Sequence, residues 1–411
     1  MTPNNTTPNK YTKYTKHKAS DQTPLHRAAM FSIVVYIVLT LMFETSWSSM
    51  SRFASYGLYF CLVVCAIETA ASGKIKIDWL TVLMFFLGAF LTVSCFYTPA
   101  MQGIVNMYIR RFWTAVVIVF LIRSVVRNER DIQTVISATV AGGVGLALFI
   151  YYEYGITYLF TMSDRLSAEH GNQNALGLYC AFAIVFSIFK IVALKRHIPL
   201  YLLAIVICLP VIMFTGSRKA ILIIAASVVA LFITYGSRRH LVRRVVATAA
   251  VLSVLVLVII YVPAFSVIKE RFENMFSVVN NPRVDMMEGD QNRIYYIKYG
   301  IEQFKKNPIF GNGFFSSVYY LGVYTHNNFV ELLLNNGIVG LALYYIPHIV
   351  MLIRAIKIGG KDKKASSFIF MLFASLMICD IGVITYYDRF IWILIAIGVD
   401  LVSVVKKEIN D

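Results

Sequence analysis

The chain has 411 residues, of which 58% are hydrophobic and only 15% are charged, and its formal net charge is +16. Soluble globular proteins carry about 25% charged residues, and apolar runs of the length that crosses a bilayer recur along this whole chain. These features exclude a water-soluble enzyme, a disordered chain and a single-span receptor. In a membrane protein a positive charge can report topology, so no nucleic-acid partner is expected.

Apolar runs between clusters of charged residues predict an all-α, polytopic membrane protein with about twelve transmembrane helices. A polar, basic N-terminal tail, residues 1–27, precedes the first run. Transmembrane helices one to nine are predicted within residues 28–265 and helices ten to twelve within 327–405, before a tail at 406–411. The predicted spans are 28–44, 52–71, 77–97, 111–126, 132–153, 173–194, 198–215, 218–235, 245–265, 327–353, 365–386 and 389–405.

Basic residues indicate which helix ends face the cytoplasm. With the N-terminus inside, alternating loops place 24 of the 38 lysines and arginines in cytoplasmic segments, in agreement with the positive-inside rule. Both termini are therefore predicted to be cytoplasmic. Arg52 and Arg111 fall on the outer side, where they are interpreted as side chains that reach lipid headgroups.

One connection, residues 266–326, is much longer than the others and is predicted to lie outside the cytoplasm. Apolar residues at helical spacing from Ile294 to Phe304 predict an amphipathic helix over Asn292–Lys306 on the membrane surface. Asn307-Pro308 is expected to end this helix, and a glycine-rich turn follows. Because long ordered loops usually carry function, the outer surface is the predicted working face.

Arginines on the outer side are the candidate ligands for an anionic substrate. A guanidinium is planar, permanently charged and bidentate, which suits phosphate groups. Arg218 lies in the very short loop 215–219 at the membrane boundary, and Arg293 is at the start of the amphipathic helix. Arg165 and Arg110 are further outer candidates. Several arginines at one depth would form a cage for a lipid diphosphate.

His326 is the candidate general base, since it lies where the long loop enters span ten and an imidazole can accept a proton from a hydroxyl. The other outer histidine, His170, is interpreted as structural. The sequence has no Walker A loop, no nucleotide-binding glycine fingerprint and no serine-hydrolase elbow. The nearest acid cluster, Asp285, Glu288 and Asp290, is interpreted as solvated, which argues against a metal-dependent sugar-nucleotide enzyme.

Several of these stretches resemble positions of the O-antigen ligase/polymerase superfamily. They are, in chain order, Arg165 with Gly171–Asn174, Gly216-Ser217-Arg218, Asn292-Arg293, Asn307–Gly313 and Thr325–Gly340. The region that resembles the superfamily covers about residues 160–345, and the remaining spans agree with it in topology.

The resemblance implies a GT-C-like glycosyltransferase of the bacterial cytoplasmic (inner) membrane with an extracytoplasmic active site. It implies a donor glycan on undecaprenyl diphosphate and, as acceptor, a sugar hydroxyl on a second carrier-linked glycan or on lipid A–core. Arg218 and Arg293 would bind the diphosphate leaving group, His326 would help to activate the acceptor, and Asn327 is a further candidate for substrate binding. No metal or other cofactor is implied. Membrane lipids and a chain-length regulator are further candidate partners.

Three functions fit these features. A polymerase joins repeat units of O-antigen, capsule or exopolysaccharide, and the run Thr325–Asn328 followed by Glu331–Gly337 looks more like the polymerase branch. A ligase transfers the finished glycan to lipid A–core. A flippase or transporter of lipid-linked oligosaccharides also fits twelve spans, but no internal repeat is visible, and Asp380 and Asp400 are placed near the interfaces rather than in a proton relay. The sequence therefore favours the polymerase.

Overall fold

The computed structural model describes residues 23–44, 49–161, 166, 172–195, 197–236 and 290–410, with isolated residues between 242 and 273. All regular secondary structure in the described part is helical, which confirms the all-α prediction. The helices are α1 (Pro24–Phe43), α2 (Ser51–Ser72), α3 (Trp79–Ser94), α4 (Gln102–Val125), α5 (Glu129–Tyr154), α6 (Ile156–Thr161), α7 (Gln173–Phe189), α8 (Ile198–Thr215), α9 (Arg218–Thr234), α10 (Asp290–Lys306), α11 (Ser316–Leu321), α12 (Asn328–Ile358), α13 (Lys363–Asp380) and α14 (Arg389–Asn410). The predictions for residues 1–22, Arg165, His170, Asp285, Glu288 and most of the ninth span fall outside the described residues. The predicted end of the N-terminal tail at residue 27 is wrong, because α1 already begins at Pro24 after the Thr23 cap.

Seven of the described helices are long and apolar enough to cross a membrane, which confirms a polytopic membrane protein. They are α1, α2, α4, α5, α8, α12, and α7 together with the π-helical turn Lys190–Leu194 that extends it. Four further predicted spans coincide with α3, α9, α13 and α14. Each predicted span that the structure describes therefore corresponds to a helix, although some of the ends differ.

Side-chain caps explain where several helices begin. The Thr23 hydroxyl accepts a hydrogen bond from the backbone N–H of His26 before α1, and the Asp78 carboxylate accepts from the first turn of α3. Asn128 and Asp362 cap α5 and α13 in the same way. Each cap satisfies backbone N–H groups that have no partner inside the helix.

The predicted start of span four is wrong, because α4 begins at Gln102 rather than at residue 111. The sequence predicts Arg111 to be a boundary charge that reaches lipid headgroups. Its guanidinium instead forms an ion pair with Glu44 at 2.8 Å, so the charge is accommodated inside the helical stretch. Hydrogen-bonded pairing is what allows a charged side chain to leave water.

The predicted end of span eleven is also wrong, because α13 ends at Asp380 rather than at residue 386. The buried Asp380 carboxylate accepts hydrogen bonds from the hydroxyls of Thr385 and Tyr345, the latter at 2.7 Å. Asn328 accepts from the backbone N–H of Thr385 at 2.9 Å. These bonds hold the apolar residues after 380 in a turn that packs against the start of α12.

Charged residues collect at two ends of the helical bundle. At the end that we call the Asp78 end, Arg123 donates to Asp78 at 2.6 Å and to Asp400 at 2.7 Å. At the end that we call the Glu44 end, Arg111 lies 2.8 Å from Glu44 and 3.6 Å from Asp388. Both α4 and α14 run between these two ends in the same direction. Asp400 is thus held in a buried ion pair. Helices that are joined by short loops alternate in direction between the two ends.

Candidate functional site

His326 lies in the connection between α11 and α12, with its backbone in the left-handed region at φ 58°. That conformation is uncommon for residues other than glycine. The centre of its ring is 4.3 Å from the ring of Tyr324 and 6.2 Å from the ring of Tyr296 on α10. The imidazole is therefore placed by two aromatic neighbours, one from its own loop and one from a neighbouring helix.

Glu331, in the first turn of α12, fixes the backbone next to His326. Its buried carboxylate accepts hydrogen bonds from the Thr325 backbone N–H at 2.8 Å, the Ser317 hydroxyl at 2.5 Å and the Asn335 side-chain amide at 2.9 Å. A buried carboxylate needs such partners to offset the loss of water. Glu331 is thus a positioning residue for the loop that carries His326, a role that the sequence did not reveal.

Asn327 is the N-cap of α12, where its side-chain oxygen accepts from the Val330 backbone N–H at 3.1 Å. Its amide nitrogen donates to the carbonyl of Ile381 at 3.5 Å. The next carbonyl, that of Gly382, accepts from the ammonium of Lys219 on α9. The turn at 381–382 therefore brings the beginning of α9 next to the His326 loop, although these segments are far apart in the sequence.

Arg293 and Lys219 surround His326 with positive charge. Burial lowers the pKa of His326 from 6.5 to about 4, and the charges of Arg293 and Lys219 contribute to the lowering. The imidazole is consequently neutral at neutral pH, and both cations are near enough for their charges to act on it. Lys219 was missed as a site candidate by sequence reasoning, and the signal available was its position next to Arg218.

The remaining predicted arginines are placed differently. Arg218 is buried at the first position of α9, after a turn in which Gly216 adopts φ 58°. Its neighbour Lys219 is linked to the surroundings of His326 through the carbonyl of Gly382. Arg110 is exposed and its Nε donates to the carbonyl of Asn106 in its own helix at 2.9 Å. Arg165 lies outside the described residues.

Helix α10 ends at Lys306, immediately before Asn307, as predicted. Its buried face differs from the predicted apolar stripe, because Ile294 is exposed whereas Gly300 and Gln303 are buried. Gly300 faces Val330 of α12, and a side chain there would collide with it. This close approach of α10 to α12 brings Arg293 and Tyr296 to His326.

The two long sequence motifs form one structural unit, since segment 307–313 is bonded to segment 334–339 of α12. The Asn312 and Gly313 N–H groups donate to the carbonyls of Leu334 and Asn335 at 3.0 and 2.9 Å, and the Ile338 N–H donates to Pro308 at 2.9 Å. These bonds occupy the point where α12 is interrupted at Gly337. The unit fixes the first turns of α12 and thereby the entry loop with His326.

Chemically, the site combines a neutral imidazole, two cations and aromatic walls. Such an arrangement can accept a proton from a hydroxyl and can bind an anion next to it. Among the described residues, no group of three His, Cys, Asp or Glu side chains lies close enough together to hold a metal ion.

Residues 203–345 match a protein-family model described as O-antigen ligase. The matched region contains Arg218, Lys219, Arg293 and His326, together with both segments of the motif unit. No curated protein was found to match the chain.

Proposed function

We propose that this chain, a member of the O-antigen ligase/polymerase superfamily of glycosyltransferase-type membrane enzymes through its residues 203–345, polymerises repeat units of a bacterial surface polysaccharide. The donor is a glycan on undecaprenyl diphosphate, and the acceptor is a sugar hydroxyl of a second lipid-linked glycan. The observation that carries the proposal is the neutral imidazole of His326 beside the cations Arg293 and Lys219. A hydroxyl nucleophile and a diphosphate leaving group require that pairing of a base with fixed positive charge.

In the proposed reaction, Arg218, Arg293 and Lys219 bind the diphosphate. The bond between the anomeric carbon of the donor and its phosphate oxygen breaks as the acceptor oxygen bonds to that carbon. His326 accepts the proton of the acceptor hydroxyl, and undecaprenyl diphosphate leaves with the bonding electron pair. Arg110, Arg165 and Asn327 remain proposed contacts to the substrate.

Donor binding strengthens the base in this scheme. The positive charges of Arg293 and Lys219 lower the pKa of His326 while the site is empty. A bound diphosphate offsets those charges and therefore raises the pKa of the imidazole. His326 becomes a better proton acceptor once the donor is in place. In the empty site its low pKa keeps the imidazole from being protonated by solvent, so the base is available when the acceptor arrives.

The proposed reaction uses no metal, because arginine and lysine side chains supply the charge that stabilises the leaving diphosphate. Transfer by the purified enzyme is expected to proceed at an unchanged rate in excess chelator. The measurement is the elongation of a carrier-linked glycan with and without EDTA. Loss of activity that one divalent ion restores would contradict metal independence.

We further propose that both termini are cytoplasmic and that the Glu44 end faces the extracytoplasmic side of the cytoplasmic membrane. The distribution of basic residues along the sequence supports this orientation. The donor would then reach His326 from the outer leaflet, where membrane lipids surround the bundle.

The experiment that tests the function is a gene deletion followed by separation of the surface glycans by chain length. Loss of long chains with single repeat units retained is expected for a polymerase. Ligase is the second candidate, since the matching family model carries that description, and it predicts that long chains accumulate on the carrier. Repeat units trapped on the cytoplasmic side would contradict both and indicate a flippase.

A further inference from the structure

A second polar cluster lies at the Glu44 end, where α1, α4 and α14 meet. We call it the Glu44 cluster; it consists of Glu44, Arg111, Asp388 and Arg389. One Glu44 oxygen accepts hydrogen bonds from Arg111 at 2.8 Å and from Arg389, and Arg111 lies 3.6 Å from Asp388. Two guanidinium groups face two carboxylates, so the cluster is neutral overall.

This cluster has unused hydrogen-bonding capacity. The second carboxylate oxygen of Glu44 and the Nε atoms of Arg111 and Arg389 are buried and have no hydrogen-bond partner among the described residues. The same is true of the hydroxyls of Tyr36 and Thr40, and these residues are only 1% and 2% exposed. Native proteins leave few buried polar atoms unsatisfied, so five in one region indicate a missing partner.

The five atoms belong to one region of the bundle. Tyr36, Thr40 and Glu44 are spaced by four residues on α1 and therefore share one face of the helix. The charges of Arg389, Glu44 and Asp388 all act on the Tyr36 hydroxyl. The unsatisfied hydroxyls of Tyr36 and Thr40 thus lie along α1, deeper in the bundle than the partly exposed Glu44 cluster.

An aromatic strip connects the Glu44 cluster with His326. Tyr387, next to Asp388 in the chain, has its ring 4.9 Å from that of Tyr108. Tyr108 stacks on Phe315 at 4.1 Å, directly before the short helix α11, and Tyr324, shortly after α11, contacts His326. The strip runs from the neutral cluster to the proposed point of chemistry.

We propose that the Glu44 cluster and the aromatic strip bind the sugar units of a glycan chain that lie away from the reacting bond. This inference rests on the proposed function for its substrate class. Carboxylates and guanidinium groups each present two polar atoms that can form hydrogen bonds with neighbouring hydroxyls of one sugar. Aromatic side chains can pack against the apolar face of a sugar ring. A neutral cluster suits uncharged hydroxyls, whereas the cations around His326 suit the diphosphate.

The test uses the full-length protein in detergent and a probe without lipid or diphosphate. The probe is oligosaccharide released by mild acid from the surface polysaccharide of the same cells, and calorimetry measures its Kd. Glu44→Gln is expected to weaken binding about tenfold or more, because a charged acceptor is lost. Tyr36→Phe is expected to weaken it severalfold while leaving thermal unfolding unchanged, since the hydroxyl has no partner within the described structure.

Glu68→Gln is the matched control, because Glu68 pairs with Arg127 at 2.7 Å at the Asp78 end. It removes a comparable buried carboxylate and should leave the Kd unchanged. Arg218→Ala and His326→Ala should bind the probe with the Kd of the unmodified protein, even where transfer is lost. A failure of the catalytic proposal can therefore be distinguished from a failure of the glycan-binding proposal. The inference would be overturned if Glu44→Gln and Tyr36→Phe both bound the probe with the Kd of the unmodified protein. It would also be overturned if the unmodified protein did not bind the probe. Water would then be the partner of these buried atoms.

Discussion

At the scale of single residues, the charge next to His326 is predicted to set the pH dependence of the proposed transfer. The imidazole accepts a proton only when neutral, so kcat/KM should be lost as the pH falls through the pKa of about 4. Lys219→Met removes a cation that lowers this pKa and should move the acidic limb of the pH profile to higher pH. The measurement is kcat/KM for the donor against pH, because this constant reports the site before bound donor raises the pKa of His326.

Lys305→Met serves as the control for this prediction, because Lys305 is an exposed cation on the last turn of α10. It should leave the acidic limb where it is in the parent. An unchanged limb in Lys219→Met would remove Lys219 from the electrostatic surroundings of His326.

At positions 218 and 293, the rate of transfer should depend on the shape of the side chain as well as on its charge. Arg218→Ala and Arg293→Ala are expected to lower transfer by about a hundredfold or more, as observed when a preorganised charge donor is removed. The lysine variants should recover part of the rate, because an ammonium keeps the charge and loses the bidentate geometry. Initial rates of elongation measure both effects.

Arg354→Ala is the comparison for the arginine variants. Arg354 lies 5.3 Å above the ring of Trp79 and away from the His326 site, and its loss should leave elongation unchanged. Either alanine variant elongating at the parent rate would exclude that arginine from the mechanism.

The sequence identified His326 and Arg293 through their motifs, and the structure brings them together. It could not identify Lys219, because the partner that holds it, Gly382, is more than 160 residues away along the chain. The cap made by Asn327 and the buried anchor Glu331 also depend on contacts that only the folded chain reveals.

At the scale of helices and segments, Gly337 allows the two motifs to dock. It has φ 63° and ψ −165°, a conformation restricted to glycine, and an added Cβ would lie 2.3 Å from the Ile309 carbonyl oxygen. Gly337→Ala should therefore destabilise the protein by about 1–3 kcal/mol or more. It should also lower transfer, because the start of α12 carries the His326 loop.

Gly103→Ala tests whether glycine replacement alone has this effect. Gly103 lies in α4 with open space around its added Cβ, so alanine should be neutral or slightly stabilising there. Thermal unfolding in detergent compares the two variants. Equal unfolding temperatures for Gly337→Ala and the parent would contradict the role given to this break.

Helix positions could be predicted from apolar runs, but two helix ends could not. The sequence predicts that the fourth span starts at Arg111, because a charge is costly in lipid. The ion pair with Glu44 accommodates this charge, and α4 starts earlier. Residues 381–386 are apolar enough to continue α13, but the bonds that Asp380 and Asn328 make to Thr385 stabilise a turn instead. Both errors arise from tertiary hydrogen bonds, which hydropathy does not contain.

At the scale of the whole molecule, the class of protein followed from composition, since long apolar runs have few alternatives to membrane helices. The pairing of helices did not follow from it. Arg123, for example, joins α3 and α14 through Asp78 and Asp400 across more than 300 residues of sequence. The alternation of helix directions is present in the structure.

Cysteine labelling tests the proposed orientation. Lys305 on α10 and Lys361 between α12 and α13 are both exposed lysines, and the proposal places them on opposite sides of the membrane. A membrane-impermeant thiol reagent should label Lys305→Cys in intact cells and Lys361→Cys only after permeabilisation. Five native cysteines are buried, and Cys95→Ser removes the partly exposed one, so the background is low. Labelling of Lys361→Cys in intact cells with protection of Lys305→Cys would invert the bundle and place His326 on the cytoplasmic side, where a donor at the outer leaflet could not reach it.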